Sequence, residues 1–259
     1  MYHGSRDDAV VMKEVMNTMK MPAFPEGRHP LIQALSHHSD HDLLTLFQRH
    51  PDVGKYFIAL FSRYGPIVYT LISHSVRSSV QANYLFAVTW RHIYYELGGL
   101  DLHESSAEEQ PFTLQNWLIN ITAVCINRVE LPPVEAIHYS LQKASPPLWC
   151  YLEQALDRLH PLHRLIVLMA QTFHWSETRI SAYLQAEGEM FTTQAVKQQL
   201  EEAYQQLESV LPEDVRTIYL EHLAGTDEAL GDRTNREVRQ NEGSNQDIFN
   251  LDSLEPIFE

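Results

Sequence analysis

Residues 148–211, LWCYLEQALDRLHPLHRLIVLMAQTFHWSETRISAYLQAEGEMFTTQAVKQQLEEAYQQLESVL, decide the fold. Apolar residues recur there at helical spacing, and the residues between them mark four short helices. Leu148, Leu152, Leu156 and Leu159 form one stripe, which ends at His160-Pro161, because proline lacks the amide that a continuing helix needs. A second helix spans about 162–173, with Leu165, Leu168, Met169 and Phe173 predicted to face inward. Ser176 can cap a third over 177–184, which buries Ile180 and Leu184. Beyond Gly188, Thr192 or Thr193 can cap the last, whose apolar face is Val196, Leu200, Ala203, Leu207 and Leu211. A serine or threonine oxygen at that place accepts an otherwise unpaired first-turn amide.

Upstream, Pro132-Pro133 and Pro146-Pro147 bracket a connector, and paired prolines are strong structural punctuation. Before it, residues 42–130 contain further helical patterns. They cover 56–61, 64–75, an aromatic-rich stretch over 80–97 ending at Gly98-Gly99, and 113–128. The resulting expectation is an all-α chain of two small helical domains joined by a Pro-rich linker. Residues 1–41 form a flexible N-terminal extension, 42–130 the first domain, 131–147 the linker and 148–212 the second domain. Residues 213–259 are read as a largely disordered acidic tail. The second domain is predicted to contain a helix-turn-helix, an order of elements that reads DNA when its last helix enters a major groove.

Composition agrees with a folded helical protein. The chain has 259 residues, 44% hydrophobic and 10% aromatic, with only 10 glycines, and no alternating run suggests strands. No apolar stretch approaches the roughly 20 residues that cross a bilayer, and the N-terminus lacks the pattern of a signal peptide. Cys125 and Cys150 are the only cysteines. A reduced, cytoplasmic protein with no membrane association is expected. The net charge of −15 opposes phosphate binding. Part of it is local, because nine acids and three arginines follow Ala224. Without that segment the body is still acidic.

Four stretches, in this order, carry a family likeness: YGPIVYTLISHSVRSSVQANYLFAVTWRHIYYEL (64–97), FTLQNWLINITAVCINRVE (112–130), LWCYLEQALDRLHPLHRLIVLMAQTFHWSETRISAYL (148–184) and AVKQQLEEAYQQL (195–207). Together they resemble a small bacterial sigma factor of the extracytoplasmic-function type. The likeness covers roughly residues 42–212 and lies in the order of parts. It implies a subunit that binds core RNA polymerase and directs promoter recognition and opening, with no cofactor and no catalysis of its own. It further implies an anti-sigma or regulatory protein as a possible partner. Gln81, Asn83, Tyr84 and Ala87 fall where the family grips the polymerase. Trp90, Arg91, Tyr94, Tyr95, Asn116 and Arg128 fall where it captures melted promoter DNA. Arg179, Thr192, Thr193, Gln194, Lys197 and Gln198 fall on its promoter-reading helices.

The chemistry of these positions suits those roles. Glutamine can bond the edge of adenine in bidentate fashion, lysine neutralises phosphate, and aromatic faces stack on unpaired bases. Equally, glutamine and lysine are ordinary residues of a solvated helix, and Trp or Tyr at helical spacing is common in a core; Trp117 is read as core. The chain also departs from the family. The clamp-binding stretch Val80-Gln81-Ala82-Asn83-Tyr84 carries no acid, and Arg128 is followed by Val129-Glu130-Leu131 rather than by basic residues. Gln199, Glu202 and Tyr204 stand where arginines are usual. The turn from Leu184 to Val196 is about five residues longer than in the family. A second reading therefore stays open, a sigma-like interaction module without sequence-specific DNA reading. A third is an unrelated helical adaptor.

No glycine-rich phosphate loop, nucleophile elbow or paired-carboxylate motif occurs, so an enzyme is not expected. His37, His38, His41 and His50, with Asp40 and Asp42, contain metal-ligand chemistry. They lack a spacing that fixes a geometry, and no metal is assigned.

Overall fold

The computed structural model describes residues 22–101, 113–142 and 144–220. Every regular element among them is helical. In chain order these are α1 (Pro30–Gln33), α2 (Asp40–Arg49), α3 (Lys55–Ser73), α4 (Ser79–Leu97), α5 (Leu114–Arg128), α6 (Pro146–Arg158), α7 (Pro161–Gln171), α8 (Glu177–Ala186), α9 (Thr193–Val210) and α10 (213–220). Short 3-10 turns occupy Pro25–Arg28 and Val134–Ala136.

Most helices begin at a local cap. Ser39 and Asp42 form a reciprocal capping box on α2, the Asp42 N–H donating to Ser39 Oγ at 3.1 Å. Ser78, Thr113, Ser176 and Thr192 each accept a first-turn amide of α4, α5, α8 and α9. Proline occupies the first turn of α6 and α7, where its missing N–H costs nothing. The patterns at 56–61 and 64–75 belong to one helix. α3 runs through Pro66 without interruption, since packing on α2, α4 and α5 holds it on several sides.

α3 and α4 form the centre of the core. Trp90 has no exposed surface, and its ring meets Phe57, Phe61 and Phe86 edge-on, at centroid distances from 5.0 to 6.3 Å, the geometry aromatic quadrupoles favour. α6 packs on α4 and α3, and also on α9. Tyr151 of α6 lies edge-on to Tyr94 at 5.5 Å and to Phe57 at 6.5 Å. One apolar core therefore runs without a break from Ile32 to Ile218. α7, α8 and α9 make a three-helix unit around Ile166, Ile180, Leu184, Val196 and Leu200.

Several sequence expectations change here. The connector over 131–147 is docked, because Ile137, Tyr139 and Leu141 are buried and Tyr139 stacks on Trp149 at 5.2 Å. Residues 22–39 pack against α3 through Phe24, Ile32 and Leu35; residues 1–21 lie outside the described residues. Residues 213–220 are a helix with Val215 and Ile218 buried, whereas the rest of the predicted tail, 221–259, is outside the description. Leu165 of α7 and Phe173, two residues beyond its end, were expected inward but are 40% and 60% exposed. The buried face carries Met169, as expected, together with His163, Ile166 and Val167.

Candidate nucleic-acid interface

α9 divides into two faces. Val196, Leu200, Ala203, Tyr204 and Leu207 are buried, while Thr193, Gln194, Lys197 and Gln198 are exposed. Thr192 spends its hydroxyl on the cap, accepting from Ala195 N at 3.2 Å. The approach to α9 is fixed by backbone and side-chain bonds. Gly188 adopts φ +94, a left-handed value open to glycine at little cost. Both Ser181 Oγ and Gln185 Nε2 donate to the Phe191 carbonyl, at 2.8 and 2.7 Å.

His163 ties α7 to α9. Its Nε2 lies 3.0 Å from Gln199 Oε1 and its Nδ1 2.8 Å from Gln206 Oε1. The Gln199 amide nitrogen donates to Glu202 at 2.9 Å, which orients its oxygen towards His163. Gln198 donates to the other oxygen of Glu202 at 2.8 Å. Of the six positions that the resemblance selects for promoter reading, Thr193, Gln194 and Lys197 are exposed on α9. Arg179 is exposed on α8, its guanidinium 4.3 Å from the Trp175 ring centroid, a cation–π contact.

The six strand-capture positions separate. Trp90 and Tyr94 are core residues, at 0% and 4% exposure, and a ring without exposed surface cannot stack on a base; for these two the expected role is corrected. Asn116 and Arg128 are exposed on α5. Arg91 and Tyr95 stand one turn apart at the edge of α4, and both engage Glu153 of α6. Arg91 Nε lies 3.1 and 2.8 Å from Glu153 Oε1 and Oε2, and Nη2 lies 2.6 Å from Oε1. The Tyr95 hydroxyl donates to Oε2 at 3.2 Å. These bonds hold Arg91 firmly charged, while burial first, and the Glu153 charge second, push Tyr95 up to about 12. Sequence reasoning missed Glu153, because an acid one place after Leu152 looks like any solvated helix position.

The polymerase-binding positions are also mixed. Gln81 donates to the Pro132 carbonyl at 3.0 Å, and Asn83 accepts from Tyr69 Oη at 3.0 Å. Tyr84 and Ala87 are buried, which corrects their expected role, since a buried methyl offers a partner no surface. The acids near the histidines are engaged elsewhere. Asp40 accepts from Arg63 and Tyr64, and Asp42 closes the α2 capping box. Among the described residues no group of three or more potential ligands is arranged to hold a metal, and no helix is long and apolar enough to cross a membrane.

The chain matches no protein-family model, no curated protein and no solved structure.

Proposed function

We propose that the chain is a sigma-type subunit of bacterial RNA polymerase, of the extracytoplasmic-function kind, which binds the core enzyme and directs it to promoters. One observation carries the reading: the capped N-terminal half of α9 presents Thr193, Gln194, Lys197 and Gln198 to solvent on a helix anchored by α7 and α8. In this reading α8, the turn at Gly188 and α9 are a helix-turn-helix. α9 enters the major groove, Gln194 and Gln198 meet base edges, and Lys197 and Arg179 meet phosphates. On α4 and α5, Arg91, Tyr95, Asn116 and Arg128 receive the melted strand. The polymerase supplies the catalysis and the positive surface that a chain of net charge −15 lacks.

A second reading is favoured by a specific feature. α9 holds one lysine against Glu201, Glu202 and Glu208, and Glu202 occupies the amides of both Gln198 and Gln199. Such a helix suits a sigma-like module that docks on polymerase or a regulator without reading bases. Run-off transcription with core RNA polymerase on a genomic promoter library separates the two. Specific initiation is the expected result; binding to core without any initiation would establish the interaction module instead.

A further inference from the structure

Arg91 and Tyr95 already hold an anion. The Arg91 guanidinium grips both oxygens of Glu153, the Tyr95 hydroxyl donates to one of them, and the guanidinium carbon lies 5.6 Å from the Tyr95 ring centroid. A planar guanidinium fork beside a hydroxyl donor is equally matched to two oxygens of a phosphodiester. The occupant comes from the other helical block, 62 residues along the chain. Exposure is unequal, with the Glu153 side chain at 9% and Arg91 at 36%. The cation thus faces water, while the carboxylate sits behind it. Among the described residues Arg91 Nη1 has no acceptor, which leaves an amine for a first contact.

We infer that Glu153 is a built-in occupant of a phosphodiester site made by Arg91 and Tyr95, and that single-stranded DNA loads by displacing it. The inference rests on the sigma-type reading and adds a resting state in which that site is closed. Displacement is local. The Arg91 fork and the Tyr95 hydroxyl turn from Glu153 to a backbone phosphate arriving from the solvent side, where Arg91 is the more exposed partner of the pair, and the core between α4 and α6 is untouched. Because an internal carboxylate is always at hand, a free strand competes poorly. A strand held beside the site by the polymerase has a high effective concentration and displaces it.

The test uses the full chain and a fluorescent single-stranded oligonucleotide, read by anisotropy at low salt. Glu153→Gln is expected to bind about tenfold more tightly than wild type, with a salt dependence steeper by about one counter-ion. Arg91→Ala should cancel that gain in the Glu153→Gln background. The exchange variant Arg91→Glu/Glu153→Arg keeps an ion pair in place. It should melt near wild type yet bind no better than Arg91→Ala, so it tests the site even if Glu153→Gln folds poorly. Unchanged affinity in Glu153→Gln, or an exchange variant that binds as tightly as Glu153→Gln was expected to, overturns the inference. Run-off transcription with the same proteins keeps the two ideas apart. A gain in strand binding without any initiation supports the site and removes the sigma reading. Initiation by wild type without a gain in Glu153→Gln does the reverse.

Discussion

Asp214 caps helix α3 from 160 residues away in the chain. Its Oδ1 accepts the Gly54 N–H at 3.1 Å and its Oδ2 the Lys55 N–H at 2.6 Å. The cap brings α10 so close that a Cβ on Gly54 would lie 2.2 Å from Val215 Cγ2 and 3.1 Å from the Tyr151 ring. Gly54 has ordinary helical φ and ψ, so the demand there is for space and not for a left-handed backbone. Removing the cap in Asp214→Ala is expected to cost about 1–2 kcal/mol. Gly54→Ala should cost about 1–3 kcal/mol by overpacking, and Val215→Ala should relieve part of that. Urea unfolding of the singles and the Gly54→Ala/Val215→Ala double measures this; strictly additive losses would mean that the two residues do not press on each other.

Glu26 predicts a pH effect. It is 2% exposed, and burial raises its carboxyl above the ordinary 4.5 although the Tyr219 hydroxyl donates to it at 3.1 Å. The sign follows from the raised value. The neutral form suits the fold, so this group's contribution is fully present below the unfolded value and is lost as pH rises through the folded one. Glu26→Gln should therefore raise Tm at neutral pH, and the gain over wild type should vanish by about pH 4. Melting curves across that range decide it; a gain independent of pH would show that ionisation is not the cause.

On α9, Lys197→Ala and Gln194→Ala should leave stability within about 0.5 kcal/mol, because both side chains are exposed. Their effects on holoenzyme binding to a promoter should differ in kind. Lys197→Ala should weaken all sequences alike and reduce the salt slope by about one. Gln194→Ala should lose about 1–3 kcal/mol of preference at one base pair. Identical profiles for both variants would argue against a recognition helix.

The thiols of Cys125 and Cys150 should be inert in the native chain. Both are buried, at 5% and 1% exposure, and burial pushes both above the ordinary thiol value, while the reactive species is the thiolate. A colorimetric thiol reagent at pH 8 should titrate two groups per chain in denaturant and almost none before unfolding. Rapid native labelling of Cys150 would show that the α4–α6 contact opens in solution.

Much of the helical order is legible from the sequence, and the reason is local. Ser176 and Thr192 start α8 and α9 where their sequences predict, because a cap bond reaches only two or three residues along the chain. The buried face of α9 is legible for a similar reason, since one side of that helix alone is covered and period 3.6 then identifies it. α4 defeats the same logic. It is packed by α3, α5 and α6, so Trp90 and Tyr94 can sit inside while Tyr95 stays out, and periodicity cannot say which neighbour covers which side. α7 fails differently. His163 is accepted in the core because Gln199 and Gln206 arrive from α9, and a buried polar ring without such partners would be costly.

The amino-acid sequence by itself therefore determined the caps that start α8 and α9, the proline break between α6 and α7, and which residue types α9 offers at its first turns. The tertiary structure decided that the Pro-rich connector is docked, that residues 213–220 cap and cover α3, and that Arg91 meets Glu153. Caps and helical periodicity act over about four residues, so a short window of sequence contains both partners. The Asp214–Gly54 and Arg91–Glu153 bonds join residues 160 and 62 positions apart. Each depends on the packing of whole helices to bring its two halves within reach.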